Sequence, residues 1–166
     1  MFIYASVFLG EVKGYYTRFW WWDSVLHAFS GLGLGFVGFL ILYVLYKTGK
    51  FKANPKLIVL FSFCFALALG ALWEIFEFGM DSFFGLDMQR SRNLETIYGY
   101  CDTRLGVLDT MWDLILDALG ALIASIAGYF YIIKGEVPII DNLVKKFEKK
   151  NPDLFTNKKA KRIKKE

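Results

Sequence analysis

The chain has 166 residues, of which 55% are hydrophobic and 19% aromatic, with a formal charge of +4 and a mean hydropathy of +0.37. So large an apolar share at this length excludes an ordinary soluble domain and points to a small polytopic membrane protein. The charge is lopsided, because eleven of the twenty lysines and arginines lie from Lys134 onward, and such a basic tail suits anionic lipid rather than nucleic acid.

Residues 1–10 are apolar but supply only about half of the roughly 20 residues that a helix needs to cross a bilayer. They lack the basic start and small-residue cleavage site of a signal peptide, and read as the end of a span or as a short surface anchor. From Glu11 to Asp23 the chain turns polar and aromatic, with Tyr15, Tyr16, Phe19, Trp20, Trp21 and Trp22 beside Arg18, a composition suited to the headgroup level. The first full span is expected over 24–46. Asp23 and His27 stand four apart at its start, and Gly31, Gly35 and Gly38 follow on the same face, where small residues admit a neighbouring helix. Lys47, Lys50, Lys52 and Lys56 then crowd a short loop without acids, which the positive-inside rule assigns to the cytoplasm.

A second span, 57–79, carries Ala66, Gly70, Glu74 and Glu77 along one face. The outer loop, 80–109, holds five acids and three arginines, Arg90, Arg92 and Arg104. The third span, 110–133, is preceded by Asp109 and contains Asp113 and Asp117. Steps of four keep these aspartates on one helix face, which continues through Gly120, Ala121, Ala124, Ser125 and Gly128. Residues 134–151 predict an amphipathic interfacial helix, with Ile140, Leu143, Val144 and Phe147 opposite Lys145, Lys146, Lys149 and Lys150. The alternative is a linker whose apolar residues pack on the bundle. Residues 152–166 are charged and poor in apolar side chains, which predicts a disordered basic tail. The expected fold is thus all-α: a transmembrane bundle over 1–133 with three full spans, a short N-terminal apolar segment and a cytoplasmic basic tail helix, in a bacterial plasma membrane. Homo-oligomerisation is left open.

This topology brings every intramembrane charge to one side of the bilayer. Asp23, His27, Glu74, Glu77, Asp109, Asp113 and Asp117 converge from three helices on an outer-leaflet cup. Ionisable groups inside a membrane are costly and mark functional sites by default, and so many acids cannot all remain ionised without compensation. A divalent metal ion would satisfy several oxygens at once, with His27 as a nitrogen ligand. Alternatively, Arg90, Arg92 and Arg104 fold back as ion-pair partners, or some acids stay protonated. Taken singly, Asp23 and Asp109 read better as helix N-caps and His27 as a packing histidine. No disulfide is expected, since Cys64 lies within a span and Cys101 in a polar loop. There is no zinc-ligand spacing or phosphate loop.

The blocks WDSVLHAFSG, LWEIFEF and LDTMWDLILDALGA resemble those of the YjdF-like inner-membrane proteins and, more distantly, the VanZ-like membrane proteins. The resemblance covers about Glu11 to Tyr131. It implies that Asp23, His27, Glu74, Glu77, Asp109 and Asp113 are the family's polar positions, and that the chain is N-terminally shortened, because YjdF-like relatives carry additional spans ahead of the first block. It implies no particular chemistry. The expectation is therefore a membrane protein of uncharacterised activity with a divalent-cation site. The alternatives are a metal-dependent enzyme acting on an anionic lipid or cell-wall precursor, with the three arginines holding the anion, and an ion- or proton-coupled transporter.

Overall fold

The computed structural model describes residues 2–50, 54–99, 104–135 and 137–155. All regular structure among them is helical. A π-helical segment, Tyr4–Val12, leads into a single turn, α1 (Tyr15–Arg18). Three long helices follow: α2 (Trp22–Lys47), α3 (Pro55–Phe84) and α5 (Leu105–Lys134), each long and apolar enough to cross a membrane. A short helix α4 (Ser91–Tyr98) lies between α3 and α5, and α6 (Pro138–Lys150) and α7 (Pro152–Phe155) end the described chain.

Helix boundaries follow local chemistry. Asn54 accepts a hydrogen bond from the Lys56 amide, and Pro55 starts α3 at a position where no amide donor is missed. Gly85 and Gly135 end α3 and α5 in the left-handed conformation, with φ of 67° and 71°, which glycine adopts without a Cβ penalty. Both helices therefore run beyond the expected span limits, and the connection expected over 80–109 shortens to 85–104 with α4 inside it. Asp109 lies within α5 rather than capping it.

The three long helices pack on one another through their small residues. A Cβ added at Gly31 would collide with the backbone of Asp117, and one at Gly120 with the Ala28 carbonyl. At Gly35 it would come within 2.9 Å of the Ala124 Cβ, and at Gly38 within 3.0 Å of the Ser62 Cα. Apolar attraction cannot drive association when lipid is equally apolar, so such close backbone approach supplies the packing.

At the lysine-rich end of the bundle, Phe39, Leu42, Tyr43, Ile58, Ile140 and Val144 form a buried cluster. Ile140 and Val144 thus pack α6 on the bundle, as in the alternative considered for it, while Leu143 on the same face stays exposed. Glu148 receives the Tyr43 hydroxyl at 3.1 Å and pairs with Lys47, which anchors the helix further. Residues 152–155 form a helical turn where disorder was expected, because Phe155 packs against the cluster and meets Phe147 edge to face. The expected disorder of 156–166 and the loop cysteine Cys101 lie outside the described residues.

Candidate metal centre

Each long helix contributes acids to one buried group. Four-residue spacing places Asp23 and His27 on the packed face of α2, and the same periodicity places Asp113 and Asp117 on that of α5. Along its own helix His27 lies about 8 Å from Trp22, and Asp117 about 18 Å from Leu105. They nevertheless touch, because α5 projects past the start of α2.

The imidazole of His27 organises the cluster. Its Nε2 lies 3.8 Å from Asp23 Oδ1, 3.9 Å from Glu74 Oε1 and 3.8 Å from Asp113 Oδ2. On the opposite edge of the ring, Nδ1 is 3.2 Å from Asp117 Oδ2. With Nδ1 engaged by Asp117, the Nε2 edge of the ring faces the other three acids. Asp117 is itself fixed by Ser30, whose hydroxyl lies against Oδ1. It also needs the glycine at position 70, where an added Cβ would come within 2.6 Å of Oδ2.

Burial is nearly complete: His27 is 2% exposed, Glu74 4%, Asp113 3% and Asp117 1%. Glu77 is equally buried and accepts a 2.8 Å hydrogen bond from the indole of Trp73. Asp113 Oδ2 and Asp109 Oδ2 are buried without a hydrogen-bond partner among the described residues, and Glu74, also buried, has only the nearby Thr110 hydroxyl, short of good hydrogen-bond geometry. Orphaned carboxylate oxygens in a dry interior cost several kcal/mol each unless something else satisfies them.

The seven residues expected to form the cup therefore divide. Asp23, His27 and Asp113 each offer a ligand atom within 4.8 Å of the others, and Glu74 stands beside them. Asp117 orients the imidazole from behind, Glu77 is held by Trp73, and Asp109 sits one turn before Asp113, nearer the start of α5. Of the three arginines, Arg90 returns to the site. Its Nη1 donates to Asp23 Oδ2 at 3.0 Å and its Nη2 to the Tyr16 carbonyl at 3.3 Å, while the guanidinium lies over the Tyr16 ring. Burial opposes its charge, but the contact with Asp23 more than offsets this and raises its pKa. Arg92 is instead exposed, donating to the carbonyls of Gly85 and Leu86, and Arg104 is exposed at the start of α5.

Three contributors were not singled out as site residues from sequence. Ser30 looks like an isolated polar residue until Asp117 is brought to it. Tyr16, read as part of an interfacial aromatic belt, is buried; its hydroxyl is 2.8 Å from that of Ser6. Asp81 accepts the Met88 and Gln89 amides at 2.7 and 2.9 Å and so sets the turn from which Arg90 reaches inward. The spacing of seven and eight residues across a glycine turn gave no periodic signal for it.

Fold and site together define a class: a small helical membrane protein whose three spans enclose a buried acid–histidine cluster. Residues 1–134 match the family described as "Predicted membrane protein (DUF2238)", and the chain belongs to that family. It is also similar to an uncharacterised protein of Thermotoga maritima, with 31% identity over 120 residues, covering 70% of this chain and 54% of the relative. The chain thus spans about half the length of that relative. No solved structure matches it.

Proposed function

We propose that the protein is a cation-binding membrane protein, with Asp23, His27, Glu74 and Asp113 as ligands to one divalent ion and Asp117 as the residue that orients His27. The observation that carries this reading is the spacing around Nε2. At 3.8–3.9 Å, the three acids are too far away to accept hydrogen bonds from the ring. Ligand atoms that share an ion bound at about 2.0–2.4 Å stand about 3–4 Å apart. The charge balance supports the same conclusion: six acids gather around one imidazole, and Arg90 spends its guanidinium on Asp23. A mixed carboxylate and imidazole set suits zinc, manganese or iron better than a hard all-oxygen ion.

Transport is less well supported. Toward the lysine-rich end, the buried polar side chains of the spans among the described residues are Ser62 and Ser125, which offer no acid or base to relay a charge. Enzymatic action on an anionic lipid keeps one favourable observation, the unpartnered Nε of Arg90 beside the ligand Asp23. We also place the lysine loop and the C-terminus in the cytoplasm of a bacterial cell, with the acid–histidine cluster toward the outer leaflet. The YjdF-like resemblance fits this reading without adding a chemistry.

Elemental analysis of the purified protein in detergent tests the site. The wild type is expected to carry about one divalent metal per chain, and the double variant Glu74→Gln with Asp113→Asn none. Asp117→Asn should keep the stoichiometry but weaken affinity about 10- to 100-fold in a chelator competition, since it removes only the partner that orients a ligand. Chelation should lower the melting temperature of the wild type, and re-addition of the metal should restore it. Metal-free wild-type protein whose melting is indifferent to added metals would overturn the reading.

A further inference from the structure

The cluster is closed toward the end of the bundle where α2 begins. Arg90, Asp23 and Tyr16 cover it there, and all three are themselves buried. It is open in a different direction. A cavity of about 330 Å³ lies between α2 and α3, with His27, Ser30 and Asp117 as its polar floor and Leu34, Leu69 and Trp73 among its apolar walls. At roughly 30 Å³ for a small group, this is room for about ten methylene-sized units. Phe29 stands at its edge, 68% exposed on the outer surface of α2. A second cavity of about 470 Å³, between the N-terminal segment and α2, shares Phe2, Phe29 and Ser30 with the first. The two cavities are thus neighbours on the apolar flank of the bundle, and the first reaches the imidazole.

We propose that His27 is reached from the bilayer, and that the α2–α3 cavity binds a membrane glycerophospholipid with its polar end at His27 and an acyl chain along Leu34 and Leu69. This deepens the cation-site reading by naming the ligand class of the same centre, and rests on that reading only for the chemistry at the floor. Three features select this occupant. The walls are apolar while the floor presents an imidazole and a carboxylate, which matches an amphiphile rather than a hydrated solute. His27 lies about 8 Å inward from the tryptophans at the start of α2, at the inner edge of an interfacial layer about 5–7 Å thick, within reach of the ester groups at the top of a lipid's acyl chains. Leu34 lies about 10 Å further toward the membrane centre, so a chain can follow the cavity without leaving its usual depth. The ring of Phe2 packs edge-on to His27 and Trp73, with centroids 6.1 and 4.9 Å away, so a lipid entering here meets a side chain that must turn aside.

The full chain reconstituted in phosphatidylethanolamine–phosphatidylglycerol vesicles, with a trace of phosphatidylglycerol carrying a diazirine on one acyl chain, provides the test. After irradiation, adducts are expected on peptides containing Leu34, Leu69 and Trp73 at several times the level on Ile123 and Ile126, which face outward on α5. Gly33→Phe should reduce the cavity adducts severalfold and leave those on α5 unchanged. A Cβ at Gly33 meets nothing within 4 Å, so the new ring enters the cavity and not a packed interface. Gly33→Leu gives a smaller reduction and guards against an unstable first variant. Uniform labelling of all outward residues, or labelling of the cavity that neither variant changes, would overturn the proposal and show bulk lipid only. Metal content measured on the same samples keeps the two readings apart: cavity labelling without metal retains lipid binding and refutes the cation site, and metal without cavity labelling does the reverse.

Discussion

At the scale of single residues, the site is governed by which acid has a partner. Asp23 offers one oxygen to Arg90 and the other to the space around His27 Nε2, so it couples the loop after α3 to the cluster. Removing one member of a buried pair leaves the other uncompensated, at a cost of about 3–5 kcal/mol. Arg90→Ala is therefore expected to lower thermal stability in detergent strongly. Arg90→Lys should recover little, because a single ammonium cannot reach both the Asp23 carboxylate and the Tyr16 carbonyl as the forked guanidinium does. Equal melting of Arg90→Ala and wild type would show that Asp23 is satisfied in some other way. Much of this was legible in sequence: an acid at Asp113 or Asp117 inside an apolar helix has no role as a cap. The division of labour between them was not, since a step of four puts both on one face and cannot say on which side of the His27 ring each will fall.

At the scale of elements, glycine periodicity was the most informative local signal. Gly31, Gly35 and Gly38 on α2 predict close packing, and each meets a neighbouring helix. What spacing cannot give is the partner: Gly31 and Gly35 face α5, whereas Gly38 faces α3. The C-terminal helix shows the opposite limit. Its amphipathic pattern is equally compatible with a lipid surface and with a protein groove, and it is Phe39, Leu42 and Tyr43 at the foot of α2 that bury Ile140 and Val144. Val144 is fully buried there, so Val144→Asp would place an unpaired charge against Phe39 and Ile58. Release of α6 is expected, read as faster proteolysis after Lys134 with the three-span bundle left intact. Unchanged proteolysis would show that the Glu148 contacts to Tyr43 and Lys47 suffice to hold it.

For the whole molecule, orientation is the property that sequence statistics reach and coordinates do not. The lysines after α2 and the basic residues from Lys134 predict that both lie in the cytoplasm. With Cys64 and Cys101 replaced by serine, Lys50→Cys should resist a membrane-impermeant maleimide in intact cells. Leu86→Cys, exposed in the turn after α3, should react. The reverse pattern would move the acid–histidine cluster to the inner leaflet and require a different ligand pool. The family match over residues 1–134 covers the three spans and ends where the basic tail begins, so the part of the chain that builds the site is also the part shared with relatives.

Composition and helical period by themselves determined that this is a three-span helical protein, which residues face inward, and that acids gather on those inward faces. These are consequences of short-range geometry, because 3.6 residues per turn and the cost of exposing charge to lipid act within one helix. Only the tertiary structure decided that the acids surround the Nε2 of His27, that Asp117 holds the ring from behind, and that these two residues line a cavity between α2 and α3. Those facts depend on helix rotation and offset, which are set by where glycines allow two backbones to touch, a property of helix pairs and not of either sequence segment alone.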